Sequence, residues 1–276
     1  MSGYRIEEVM PDILERYRDR LEATLKPHLE INLIPEENLT QWQSKFAGWE
    51  KSPGSLPYLP RGFDYPQTSD GEYLHLLAQI NFAEVPHLEG LPNRGILQFY
   101  LLANNDEAMY GLSNLSGEIH SLDSKWRVLY FSEPDLNEAN LTHNFDFLPQ
   151  KEGGDCEPFP ENCSAIQWSL KYSVPALEDE IYEHFIHQPE AIEKDGRSAF
   201  IEAYDRFFDR FYSDFQMGGY SRFFSDDPRY GFSTPEDPFD TLLLKIPLAE
   251  NGSLYFYIQS SAMARCDFSK VLYALA

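Results

Sequence analysis

Three cysteines, a close pair of histidines and a few polar residues in apolar surroundings are the groups of this chain that could do chemistry. A zinc site wants paired Cys or His at close spacing, and Cys156 and Cys163 with His184 and His187 come nearest to one. Their spacing matches no zinc template, so neither a metal nor another cofactor is expected. A nucleophilic site would present Ser or Cys on a strained turn beside a His. No Gly-x-Ser-x-Gly occurs, and Cys156, Cys163 and Cys266 sit in no catalytic signature. Gly218-Gly219 follows a helical pattern instead of opening one, so it reads as a helix stop and not as a phosphate cradle. Carboxylate pairs such as Asp226-Asp227 say little in a chain with 45 acidic residues.

One polar constellation stands out: Gln79 with Asp227 and Arg229. Gln79 lies among Leu76, Leu77 and Ile80, and a buried amide without partners costs ~1–3 kcal/mol. It must therefore be bonded to something. One reading is structural, with Gln79 bridging strands and Arg229 tying a loop to carbonyls. The other is a ligand cleft that binds a small anion through Arg229.

The elements that would position these residues are mostly short and apolar. Residues 4–26 carry Ile6, Val9, Met10, Ile13, Leu14, Tyr17, Leu21 and Leu25 at helical spacing; Pro11 moves the expected start to Asp12, and Pro27 follows Lys26 at its end. Glu30–Ile34 reads as a short strand ended by Pro35. The passage 52–66, with Pro53, Pro57, Pro60 and Pro66, must be extended and irregular; it reads as a cover for a sheet edge or the rim of a pocket. Strands are expected at 74–84, 95–102, 127–131, 166–172, 242–250 and 252–258. A helix should open at Glu178-Asp179-Glu180 and bury Leu177, Ile181 and Phe185. A second runs from Ser198 to Phe215 with Phe200, Tyr204, Phe207, Phe208, Phe211 and Phe215 along one face, a stripe that suits a core better than a ligand box.

The 276 residues suffice for one large domain or two halves with a shared core, and 17 Tyr with 20 Phe argue against global disorder. A formal net charge of -23 repels phosphate backbones, and no basic stripe offsets it, so nucleic acid is not expected. Such a surface suits a basic protein partner or simple solubility. No apolar run approaches the roughly 18 residues that span a bilayer, and no signal peptide opens the chain, so neither membrane association nor secretion is expected. The odd cysteine count fits a reduced cytoplasmic location. The Asn-x-Ser/Thr sequons at Asn38, Asn114, Asn140, Asn162 and Asn251 then count as chance matches.

The chain also looks built twice. Leu76–Ile80 aligns with Leu242–Ile246, Ala83-Glu84 with Ala249-Glu250, and Leu97, Phe99 and Tyr100 with Leu254, Phe256 and Tyr257. Halves of about 44–131 and 210–276 are expected, since one half-sheet alone could not bury both faces. Leu56–Pro60, Leu77–Ile80, Leu91–Tyr100, Gly218-Gly219-Tyr220, Asp227-Pro228-Arg229 and Asp267–Val271 follow in an order that resembles the YwqG-like family, a bacterial family of uncharacterised function, over about residues 30–276. The resemblance implies a single cytoplasmic α+β domain with internal symmetry. It implies no established catalysis, and a protein-neutralising role beside toxin and immunity genes is in keeping with it. Two departures are visible: the Gly-Gly before the Leu-Pro segment is interrupted as Ala47-Gly48…Pro53-Gly54, and Lys245 stands where the second Leu-Leu-Gln-Ile would have its glutamine.

The expected fold is therefore α+β, a duplicated, mostly antiparallel β core with flanking helices, in one domain over 1–276. The expected function is a non-enzymatic protein-binding module, immunity-like, with a basic partner. The alternative is a small-molecule-binding protein or enzyme with a cleft between the halves, using Gln79, Asp227 and Arg229.

Overall fold

The apolar runs that open at 74 and 95 form an antiparallel hairpin in the computed structural model, pairing His75–Asn81 with Ile96–Leu101, and Thr241–Pro247 pairs with Ser253–Ile258 in another. The structure describes residues 5–6, 10–48, 52–102, 112, 117–121, 123–148, 158–160, 162–176, 197–223, 227–248 and 252–276. The expected helix at 178–180 and the residues Cys156, His184, His187 and Asp226 lie outside them.

Eleven strands make one antiparallel sheet: β1 (Lys26–Pro35), β2 (Lys45–Phe46), β3 (His75–Asn81), β4 (Ile96–Leu101), β5 (Glu118–Ile119), β6 (Trp126–Phe131), β7 (Ser164–Ser173), β8 (Gln216–Gly218), β9 (Thr241–Pro247), β10 (Ser253–Ile258) and β11 (Leu272–Leu275). Their order across the sheet is β5-β11-β10-β9-β8-β1-β7-β2-β3-β4-β6. At its centre β1 and β7 pair over ten residues each, from Lys26↔Ser173 to Pro35↔Ser164. Outward from β7 come β2, β3, β4 and β6; outward from β1 come β8, β9, β10 and β11. Each flank thus has a very short strand first and a largely apolar, buried hairpin second.

The two ends of this order, β5 and β6, are consecutive in the chain, so the sheet curls until its edges approach. The Trp126 Nε1–H donates to Glu118 Oε1 at 2.5 Å, and the indole packs on Phe256 and Tyr273. Phe99 of β4 meets Phe256 of β10 at 4.9 Å across the interior. Leu77, Leu97, Leu244, Leu254 and Met217, all fully buried, fill the same space. This is where period-2 side chains from both flanks converge, and burial of such a core supplies the main stabilisation.

The helices are few and short among the described residues: α1 (Asp12–Glu15), α2 (Arg18–Thr24), α3 (Arg197–Phe208) and α4 (Ser260–Met263). The α+β expectation, with helices flanking the sheet, is therefore corrected to a mostly antiparallel, curled β fold. Two misread periods explain it. The pattern at 4–26 is broken at Arg16-Tyr17, and β1 begins already at Lys26, taking Pro27 into its first turn of ladder. The aromatic stripe from Phe200 is helical only to Phe208; Phe211 lies beyond α3 and Phe215 belongs to the sheet interior. Gly218-Gly219 closes β8, not a helix. What the helices do is local: α1, α2 and α3 bury Leu14, Leu21, Phe200, Tyr204 and Phe207 in a separate cluster against Val174 and Ala176.

Candidate functional site

Gln79 is fully buried on β3 and completely bonded. Its Oε1 accepts from the Tyr58 amide at 2.8 Å and from Gln98 Nε2 at 2.7 Å. Its Nε2 donates to the carbonyls of Gln41 and Gln43 at 2.7 and 2.8 Å. Gln98 Nε2 donates as well to the Tyr58 carbonyl at 2.7 Å, and the Tyr100 hydroxyl donates to Gln98 Oε1. Two amides therefore fasten the proline-rich segment and the 41–43 turn to the sheet. Asp227 and Arg229 lie elsewhere. The Arg229 Nε–H donates to Asp227 Oδ1 at 2.9 Å, its Nη2 meets Oδ2 at 2.5 Å, and the guanidinium lies over the rings of Tyr257 and Phe223. Gln79 and the Asp227–Arg229 pair thus belong to two separate clusters.

Lys45, which the sequence reading passed over, pairs with Gln79 across β2 and β3, while Gln216 pairs with Lys245 across β8 and β9. Each flank carries one buried Lys–Gln pair, with the members exchanged between strands. Lys45 Nζ donates to the Thr40 and Leu56 carbonyls at 2.9 Å. Lys245 Nζ donates to the Tyr212 hydroxyl and, at 3.3 Å, to the Ser213 carbonyl. Burial depresses both ammonium groups, Lys45 to about 8 and Lys245 to about 7, with Asp214 pulling the latter back up.

Beside Lys245, Ser213 Oγ lies 3.0 Å from His28 Nε2 and donates to Glu30 Oε1 at 3.2 Å; Glu30 in turn holds Lys171 at 2.6 Å. With the hydroxyl proton on Glu30, the His28 Nε2–H must donate to the serine oxygen, so the imidazole cannot take that proton. In this arrangement His28 does not act as a base toward Ser213, and both residues are buried. Burial lowers the His28 pKa to about 4, and its Nδ1 has no hydrogen-bond partner among the described residues. Among the described residues no group of three or more His, Cys, Asp or Glu could hold a metal ion.

Two surfaces could receive a partner. One is a cleft of about 280 Å³ between the β3–β4 loop (Leu88–Leu91), the start of β1 (Lys26, Pro27) and the ends of β8 and β9 (Gly218, Gly219, Asp240–Leu242). A side chain at Gly218 would run into Leu88, so glycine there lets that loop approach. The other is the rim that the Gln79 network anchors. Residues 60–73 and 132–148 are joined by a Pro60↔Leu141 bridge and by the Arg61 amide on the Asn140 carbonyl at 2.8 Å. Tyr58, Leu59 and Tyr65 point inward, whereas Phe63, Leu136 and Phe147 remain 44%, 48% and 40% exposed. Phe63 leans on Phe131 at 5.1 Å, and Phe147 on Tyr73 at 4.9 Å. The same two segments carry exposed Asp64, Asp70, Glu72, Glu133, Asp135, Glu138 and Asp146, with Arg61 as the sole Lys or Arg within them.

A curled, mostly antiparallel sheet with a buried amide network and an acidic aromatic rim defines a class of mainly-β scaffold. The sequence profile of a domain family of unknown function, DUF1963, matches residues 51–276, and the chain belongs to that family. No curated protein matches it. No helix among the described residues is long and apolar enough to cross a membrane.

Proposed function

We propose that the chain is a non-enzymatic protein-binding module that takes a basic partner on the acidic rim. The observation that carries this is the exposure of Phe63, Leu136 and Phe147 within a carboxylate-rich surface. Exposed aromatics at the centre of a polar ring are what protein interfaces use as anchors, and like charges around them select an oppositely charged partner. The rim is held by Gln79 and Gln98 through backbone atoms, so it is preorganised and loses little entropy on binding. The resemblance to the YwqG-like family supports a toxin-neutralising, immunity-like role in a bacterial cytoplasm. The exchanged Lys–Gln pairs support two copies of one unit within a single domain.

Selection from a random peptide display library tests the proposal. Enriched peptides should be rich in Lys and Arg with aliphatic or aromatic residues between, and Phe63→Ala with Phe147→Ala should weaken them at least tenfold. Acidic or unbiased enrichment would count against it.

A second reading, a small-molecule site, is favoured by the cleft at Lys26, Leu88 and Gly218. Gln79, Asp227 and Arg229 do not line it, so such a site would differ from the one expected from sequence. A metabolite panel in a thermal-shift assay separates the two, since a ligand at 100 times its Kd adds about 2.7 kcal/mol.

A further inference from the structure

Among the described residues, β6 pairs only with β4 and ends the sheet on its side. The Leu102 amide donates to the Lys125 carbonyl at 2.8 Å, which fixes the parity of this ladder. Arg127, Leu129 and Phe131 then exchange bonds with β4, and the main-chain groups of Trp126, Val128 and Tyr130 face outward. The Trp126 carbonyl is taken by Arg127 Nη1 at 2.7 Å. The N–H and C=O of Val128 and Tyr130 have no partner among the described residues.

This edge has no proline, no bulge and only half-buried side chains over Arg127–Phe131. Proteins guard such apolar edges because an open one pairs with any extended chain that arrives. Here the edge runs straight into the acidic rim: Phe131 carries Phe63 on its ring, and Glu133 and Asp135 follow it in the chain.

We infer that β6 receives the partner as an added antiparallel or parallel strand, its main chain on Val128 and Tyr130. The inserted segment is extended and basic, with alternate side chains reaching Phe63 and the rim carboxylates. Strand addition of this kind draws affinity from main-chain bonds and specificity from alternate side chains. The inference rests on the rim reading and says how the rim is used.

Val128→Pro tests it, because proline at 128 removes an N–H that points away from β4 and leaves the ladder whole. With a peptide enriched as above, Val128→Pro should weaken binding at least tenfold while the unfolding midpoint stays within a few degrees. On the unaltered chain, N-methylation along the peptide should weaken binding at alternate positions only. Should Val128→Pro fail to fold, this methylation scan decides alone. A scan without alternation overturns strand addition, and if Phe63→Ala still loses binding the rim reading stands without it. If the unaltered chain enriches no basic peptide, the rim reading and the strand both fall.

Discussion

Two lysines with no access to water are the most consequential single residues of this protein. Their depressed pKa values mean that the unfolded chain binds more protons than the folded one above about 7 for Lys245 and about 8 for Lys45. Stability must therefore rise with pH until the unfolded lysines themselves begin to titrate. Between pH 7 and 9 the gain should be about 2 kcal/mol from Lys245 and roughly 1 kcal/mol from Lys45. Urea midpoints at the two pH values check this, and Lys245→Met should remove the larger part of the slope. His28 acts in the other window: its folded pKa of about 4 lies below the unfolded value, so it withholds a proton that the unfolded chain takes up. Up to ~3 kcal/mol should be lost as pH falls from 6.5 to 4, and His28→Gln should flatten that limb. Gln79→Leu would strand the Tyr58 amide and the Gln41 and Gln43 carbonyls, at about 1–3 kcal/mol for each group left dry. Its thermal unfolding should shift by many degrees.

At the scale of elements, the central ribbon depends on where glycine is used. Gly219 has φ +72°, and a Cβ there would stand 2.5 Å from Ser173 Oγ and 2.7 Å from His28 Cβ. Gly90 has φ +92° with open space around it. Gly219→Ala should cost several kcal/mol, from clash and strain together, whereas Gly90→Ala should cost only about 1 kcal/mol of backbone strain. Denaturant titration of both variants makes the comparison. The elements differ in how far the sequence revealed them. The two hairpins were legible because Leu76–Ile80 and Leu242–Ile246 are apolar runs longer than a turn and flanked by Pro and Gly. β2, β8 and β5 were not, since two or three residues carry no period. β11, Leu272–Leu275, was lost in the final residues for the same reason. The helical reading past Phe208 failed because Phe211 still packs with the helix's own aromatic cluster although the helix has ended, while Phe215 has passed to the core of the sheet. As for the site, the need for Gln79 to find partners was legible, and its partners were backbone atoms that no side-chain pattern announces. The open main chain of β6 follows from ladder parity, which a sequence cannot state.

At the scale of the whole molecule, charge sets the conditions. A net charge of -23 repels itself, so raising salt from about 50 to about 300 mM should raise the melting temperature by a few degrees. The same salt should weaken a basic partner, and the opposite signs of the two effects separate them in one buffer series. The curled sheet brings both edges near one another, yet leaves β6 beside an acidic, aromatic rim built from residues far apart in the chain. Hydrogen–deuterium exchange of the chain with and without an enriched basic peptide reads this directly. Protection should gather at residues 59–65, 126–131 and 133–147. Protection gathered instead at Lys26, Leu88–Leu91 and Gly218-Gly219 would contradict the account and move the site to the cleft.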